Sequence, residues 1–200
     1  TTDDPVRACL GSQYAGWQVS AGKFFAMGSG PMRALSAREE IFHHITAKEE
    51  SPFAVGVLET QKHPTDEVIA TIVAKLPLVA EHLTLLLAPT MSIAGTTQIV
   101  ARSVETALHK LHELKFDVNH VVSAYGIAPL PPTTPDFGQA IGRTNDAILY
   151  GAKVTLWVRT DDEVLEALGP KVPSSASRDH GKPFAEVFGN YGGDFYKIDP

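Results

Sequence analysis

Gln18-Val19-Ser20-Ala21-Gly22-Lys23-Phe24-Phe25-Ala26-Met27 decides the architecture of this chain. Two short runs of strand-forming residues flank a break at Ala21-Gly22, which reads as a hairpin. Only antiparallel strands can be joined by so short a turn, so a purely parallel sheet is excluded. Gly28-Ser29-Gly30-Pro31 follows, and Pro31 suits the first turn of a helix because its missing N–H has no partner there anyway. That helix is expected to run through Arg33, Leu35, Glu39, Ile41 and Phe42.

Further along, Phe53 to Thr60 reads as a strand, and Pro64-Thr65-Asp66-Glu67 opens a helix. Its Val68, Ile69, Ile72, Val73 and Leu76 repeat at helical spacing until Pro77. Leu83 to Ala88 is expected as a buried strand, Thr97 to Leu114 as the clearest helix, and Val118 to Tyr125 as a strand. Asp136 to Leu149 reads as partly helical. Lys153 to Arg159 is expected as a strand with Val154, Leu156 and Val158 on one side, and Asp161 to Leu168 as a short helix favoured by its own acids. Strands alternating with helices around an antiparallel pair predict an α+β (mixed α/β) fold with a mixed sheet. No repeat at solenoid or propeller spacing is present.

The 200 residues, 44% of them apolar and 20% charged, suffice for one domain or two small ones. The balance of 23 acidic against 17 basic residues gives no electrostatic footprint for a nucleic-acid partner. Leu83 to Pro89, the longest apolar stretch, is strand-sized and broken by Thr84, so no membrane span is expected. The lone Cys9 has no partner for an internal disulfide, which fits a reducing cytoplasm. The chain opens at Thr1 without a signal segment and stops at Lys197-Ile198-Asp199-Pro200, straight after a strand-like Asp194-Phe195-Tyr196. It reads as an internal fragment.

On a continuous helix from 97 to 114, Ile99, Val100, Val104, Ala107, Leu108, Leu111 and Leu114 share one face. Arg102, Glu105, His109 and His112 share the opposite one. Three readings of that stripe stand open. It is a solvated face whose ion pairs contribute about a few tenths of a kcal/mol each. Or it lines a cleft, with Glu105 as a proton acceptor and Arg102 orienting it and holding its pKa low. Or Glu105, His109 and His112 ligate a metal, although Glu-x3-His-x2-His is not the zinc-hydrolase spacing.

Other constellations are similarly two-sided. Gly28-Ser29-Gly30-Pro31, with Arg33, offers either backbone N–H groups to an anion or a tight structural turn. It lacks the Lys-Ser/Thr of a P-loop and the third glycine of a dinucleotide fingerprint. Ser12, Ser29 and Ser92 lack the Gly-x-Ser-x-Gly elbow, which disfavours a serine hydrolase. Asn145 and Asp146 place an amide beside a carboxylate, suited to reading a heterocycle edge or to capping an element boundary. His43, His44, His63, His82, His120 and His180 show no ligand spacing, and Cys9 reads as a small buried apolar residue.

Six segments taken together resemble the methenyltetrahydromethanopterin cyclohydrolase family. They are Tyr14-Ala15-Gly16-Trp17, Ala26-Met27-Gly28-Ser29-Gly30-Pro31, Ala88-Pro89-Thr90, Gln98-Ile99-Val100-Ala101-Arg102-Ser103-Val104-Glu105-Thr106, Asn145-Asp146-Ala147-Ile148-Leu149-Tyr150-Gly151 and Gly181-Lys182-Pro183-Phe184-Ala185-Glu186. Ala152 departs from the second glycine expected after Gly151. The resemblance implies two α/β domains with a deep pocket between them, with this chain holding parts of both and the boundary unassigned. It also implies a homotrimer when full length, and a cytoplasmic place in the one-carbon metabolism of methanogenic and methylotrophic organisms. The implied reaction is reversible hydrolysis of the methenyl bridge of methenyltetrahydromethanopterin to the N5-formyl form. The tetrahydromethanopterin derivative is then the substrate, and no metal or other cofactor is implied.

By the Arg-x2-Glu match, the family's catalytic pair carries over to Arg102 and Glu105. Gly28, Ser29 and Gly30, with Asn145 and Asp146, are expected substrate contacts. Two rival readings remain: a metal-dependent hydrolase built on Glu105, His109 and His112, and a non-catalytic pterin-binding subunit.

Overall fold

The structure is a computed structural model, and it describes residues 1–14, 16–46 and 49–199. Ala15 of the first family segment, and Pro200, lie outside the described residues.

The hairpin forms as expected. Strand β1 (Trp17–Ala21) pairs antiparallel with β2 (Phe24–Ser29), Ala21 opposite Phe24. Gly22 takes φ +56°, the left-handed value that a two-residue hairpin loop asks of its first central residue. Strand β3 (Ala54–Glu59) adds antiparallel to β2, and β4 (Leu83–Leu87) adds parallel to β3, giving a mixed sheet in the order β1-β2-β3-β4. Helix α1 (Pro31–Ser36) leaves the end of β2, and α2 (Asp66–Val73) forms the β3-to-β4 crossover. Thr65 caps α2 by accepting the Val68 N–H at 3.4 Å. Both helices bury one sheet face, where Met32, Leu35, Val68 and Ile72 close over Trp17, Val19, Ala26 and Leu58.

A second apolar cluster forms beside a two-stranded antiparallel sheet of β5 (Val121–Ile127) and β6 (Lys153–Val158). Val121 and Ala124, with Val154, Leu156 and Val158, pack on Leu108 and Leu111 and on the π-helical turn Val6–Gly11. Ala34 of α1 joins this cluster while Met32 and Leu35 join the other, so α1 lies between the two cores. Helix α5 (Phe137–Gly151) packs on α3 (Ile93–Val100) and α7 (Phe184–Asn190), and α6 (Asp162–Leu168) is short. The mixed α/β fold class is as expected. No helix among the described residues is long and apolar enough to cross a membrane.

Several elements differ from the sequence reading. Helix α1 stops at Ser36 because Ala37 turns left-handed (φ 44°), and Glu40–His43 form a separate 3-10 turn. The long helix expected over 97–114 is two helices, α3 and α4 (Ser103–Glu113), broken at Arg102, whose ψ of 9° is not helical. Strand β4 is an edge strand with Leu86 52% exposed, so its apolar run does not mark a buried strand. Val118–His120 form a 3-10 turn ahead of β5, and Phe195–Lys197 a 3-10 turn in place of a strand. Helix α5 is fully formed, its start fixed by Asp136 Oδ1 accepting the Gln139 N–H at 2.7 Å.

Candidate functional site

The break between α3 and α4 takes Arg102 off the helix that carries Glu105, His109 and His112, which stay on one face of α4. At its first turn Ser103, Val104 and Glu105 are all buried, between the Val6–Gly11 turn and β5, whereas His109 and His112 further along are only partly buried. Glu105 is 6% exposed, and among the described residues its carboxylate has no hydrogen bond or ion pair. Burial pushes its pKa up to about 7, against the pull of the Arg102 and Arg33 guanidinium groups. The expectation that Arg102 holds this carboxyl low is thus corrected: desolvation outweighs the cation.

Arg102 does not pair with Glu105. Its Nη2 donates to Ser29 Oγ at 3.4 Å and, in a short contact, to Gln98 Oε1. Gln98 Nε2 in turn donates to Glu59 Oε2 at 3.3 Å, and Thr90 Oγ1 donates to Glu59 Oε1 at 2.9 Å. Burial lowers the Arg102 pKa from the usual arginine range, while Glu59 and then Glu105 oppose that shift.

Local structure explains the cluster. Glu59 ends β3 and Thr90 follows β4, so both lie at the carboxyl ends of the two parallel strands, where open α/β sheets gather ligands. Gln98 comes from α3, whose start presses on the loop after β4: a Cβ on Gly95 would lie 2.0 Å from the Pro89 carbonyl oxygen. Ser29 ends β2 and is buried. Met27 opposite Glu59 and Ser29 opposite Val57 put Ser29 and Glu59 on the same sheet face, the one that carries exposed Phe25, Val55 and Leu86. Nearby, Gln13 Nε2 reaches the Ala101 carbonyl at 3.5 Å, and its Oε1 is buried without a partner among the described residues.

Arg33 has a different role from the one its place after the glycine loop suggested. It is 0% exposed, and its Nε and Nη2 clamp the Glu39 carboxylate at 2.5–2.9 Å. Its Nη1 donates to the Leu10 and Gly11 carbonyls at 2.9 Å each, and Tyr14 and Phe42 flank its guanidinium. Enclosed by these partners and fully buried, the guanidinium is not presented to a ligand at the loop. Gly28 and Ser29 belong to the β2 ladder, and the Gly30 N–H donates to the Ser12 carbonyl at 2.6 Å. The tight-turn reading of this loop fits these bonds, and only the Ser29 hydroxyl meets Arg102.

Asn145 and Asp146 are engaged elsewhere. Asn145 Nδ2 donates to the Ile141 carbonyl of its own helix at 2.9 Å, and Asp146 Oδ1 accepts the Phe184 N–H at 2.8 Å. Tyr150 Oη donates to the Lys182 carbonyl at 2.6 Å and accepts the Gly181 N–H at 3.0 Å. The two family segments at 145–151 and 181–186 therefore bind each other, holding α7 to α5, and make no hydrogen bond to Arg102 or Glu105.

The histidines lie further along the same face of α4, toward its C-terminal end. His109 approaches Glu113 at 3.7 Å and stacks near Tyr14, and His112 lies beside His44. Both histidines are held below their usual pKa, chiefly by burial. They line a groove of about 860 Å³ with Glu39, His43, His44 and Glu113, which Arg102 and Glu105 do not reach. Among the described residues no three His, Cys, Asp or Glu side chains converge as metal ligands, so Glu105, His109 and His112 do not form the cluster that reading required. Cys9 is buried, and desolvation pushes its thiol up to about 11.

Sequence reasoning missed Glu59. The one signal for it was position, a single carboxylate closing an apolar strand run at the carboxyl end of a parallel pair.

A mixed α/β chain with a buried carboxyl titrating near neutrality beside a desolvated guanidinium has the marks of acid–base machinery. Over all of residues 1–200 it matches the family model described as Cyclohydrolase (MCH), and the chain belongs to that family. It is 53% identical over 204 residues to methenyltetrahydromethanopterin cyclohydrolase of Rhodopirellula baltica, covering 100% of this chain and 61% of that protein. The namesake protein of Methylobacillus flagellatus is 52% identical, with the same coverage. That of Methylosinus trichosporium is 49% identical, covering 100% of this chain and 77% of the relative. The chain thus spans about three fifths of the length of the first two relatives.

Proposed function

We propose that this chain carries the acid–base centre of a methenyltetrahydromethanopterin cyclohydrolase, with Glu105 as the catalytic acid/base and Arg102 as its cationic neighbour. The observation that carries the reading is the Glu105 carboxyl itself, buried, free of hydrogen bonds among the described residues and brought to a pKa of about 7. A group poised there serves as base and as acid within one turnover. The names of the relatives supply the substrate class.

The methenyl carbon lies between N5 and N10 in a cationic amidinium-type bridge and is already electrophilic. Ionised Glu105 removes a proton from water as its oxygen bonds to that carbon, giving a neutral carbinolamine. The protonated acid returns the proton to N10, the C–N10 bond breaks with its electron pair going to N10, and the oxygen-bound proton leaves to solvent. The products are the N5-formyl compound and one proton, with no change of oxidation state. A cationic substrate also stabilises ionised Glu105 as the site dries. Arg102 keeps a positive field near the acid and fixes its surroundings through Ser29 and Gln98. Ser29 is the one member of the Gly28, Ser29 and Gly30 group whose side chain meets this cluster, and it is the proposed substrate neighbour there.

The reading extends to a cytoplasmic homotrimer in one-carbon metabolism, and several relatives come from methylotrophs. Light scattering of the full-length protein at about three times the monomer mass supports the trimer; a monomeric mass contradicts it. For the activity, absorbance of methenyltetrahydromethanopterin is followed with the full-length protein, with and without EDTA, across pH. The reading expects turnover indifferent to EDTA, with kcat/KM for hydrolysis falling below an acidic limb near pH 7. Activity lost to chelator and restored by Zn²⁺ establishes the metal hydrolase instead, and binding without turnover establishes the non-catalytic subunit.

A further inference from the structure

Among the described residues Glu59 is linked to Arg102 through one side chain, Gln98, whose chemistry fixes the geometry. A carboxylate only accepts hydrogen bonds, whereas a glutamine amide has a donating and an accepting end. With Gln98 Nε2 held on Glu59 Oε2 at 3.3 Å, the amide oxygen must point the other way, and it receives the Arg102 guanidinium. Thr90 Oγ1, donating to Glu59 Oε1 at 2.9 Å, keeps the carboxylate from rotating. The second bond of the guanidinium, to Ser29 Oγ, lies on the same sheet face as Glu59.

We infer that Glu59 is a positioning residue that acts through Gln98, holding the Arg102 guanidinium against Ser29 and away from Glu105. This rests on the proposed role of Arg102 and Glu105. The balance of charges agrees: Glu59, ahead of Glu105, is the foremost carboxylate acting on Arg102. Without it the amide is free to flip, its NH2 faces the guanidinium, and Arg102 turns toward the one remaining carboxylate, Glu105. A paired Glu105 is a weaker base, and its pKa falls.

Three full-length variants test this. In Glu59→Gln the amide oxygen keeps the Thr90 Oγ1 bond and the NH2 stands where Oε2 was, so Gln98 Nε2 faces a donor. Gln98→Glu places two carboxylates face to face. The double variant Glu59→Gln/Gln98→Glu rebuilds the chain with the charge moved one position: the amide now at position 59 donates to the carboxylate now at position 98, which in turn accepts from Arg102. The expected result is a kcat about tenfold or more lower in Glu59→Gln, with KM changed less than about threefold and the acidic limb displaced to lower pH. The double variant recovers most of kcat and the wild-type limb. Crystal structures of the same proteins should show Arg102 displaced from Ser29 in Glu59→Gln and returned in the double variant. A folded Glu59→Gln with wild-type kcat and pH profile overturns the inference, as does a double variant no better than the single one. The crystallographic arm separates the two claims. Arg102 moving as described in a protein that does not turn over the substrate refutes the proposed function and keeps the positioning role. Arg102 unmoved in an active enzyme does the reverse.

Discussion

Glu105 imposes a pH dependence on stability whatever its part in chemistry. Its pKa is raised in the folded chain from 4.5 to about 7, so the folded state binds that proton more tightly than the unfolded state does. The contribution is fully present below about pH 4.5 and is lost as pH rises through about 7, a change of about 3 kcal/mol. Glu105→Gln, which does not ionise, should therefore gain on wild type in melting temperature between pH 5 and pH 8; a gap that stays constant contradicts the assigned burial. For Arg33 the loss is of another kind, since removing a buried cation strands the acceptors it holds. Arg33→Met leaves the Glu39 carboxylate and the Leu10 and Gly11 carbonyls without donors and should cost ~3–5 kcal/mol in urea unfolding. A loss under about 1 kcal/mol would mean that these bonds are replaced by water. At this scale a family motif singles out Arg102 and Glu105, whereas charge pattern alone grouped them with His109 and His112 as one stripe: Arg102 leaves the helix at the break, and Glu105 is buried where the histidines line a groove. Arg33 and Glu59 were opaque, since their partners Glu39, Leu10, Thr90 and Gln98 come from other elements.

Among the elements, the hairpin and the β3-α2-β4 crossover were readable because turn chemistry and hydrophobic period are local properties. The break at Arg102 was not. No Pro or Gly marks it, and it forms where the Arg102 side chain is drawn to Gln98 and Ser29 while Glu105 is taken into the interior. The expected extension of α1 to Phe42 failed for a related reason: Ala37 turns left-handed, and Glu39 folds back onto Arg33. The approach of α3 to the loop after β4 is the contact that brings Gln98 to Glu59. Gly95→Ala places a Cβ against the Pro89 carbonyl, where backbone has to move, and should cost ~1–3 kcal/mol. It should also lower turnover by separating Gln98 from Thr90 and Glu59. Thermal melting and steady-state kinetics check both effects, and a variant with unchanged stability shows that the helix can shift freely. Asp146→Ala should release α7, seen as faster amide exchange over 184–190 with little change at β2 and β3; uniform exchange across these regions argues against a local tether.

Across the whole molecule, two apolar clusters share helix α1, with Trp17 reporting one and Trp157 standing on the sheet of the other. That sharing predicts one cooperative transition. Leu108→Ala, at a position with 0% exposure, should lower stability by ~2–5 kcal/mol and move the Trp17 signal of a Trp157→Phe background together with the far-UV circular dichroism. Separate transitions would show that the clusters unfold independently. The mixed sheet was legible as a fold class, whereas the placement of the cluster against its open face depends on contacts between residues such as Ser29 and Arg102, 73 positions apart. Glu105 lies in a chain that spans 61% of the Rhodopirellula baltica relative, so its role is tested in the full-length protein. The decisive measurement is steady-state hydrolysis of methenyltetrahydromethanopterin by wild type and Glu105→Gln, followed by absorbance. With Glu105 as the acid/base, kcat falls by ~10²- to 10⁴-fold with KM little changed; a Glu105→Gln enzyme turning over at the wild-type rate contradicts that role.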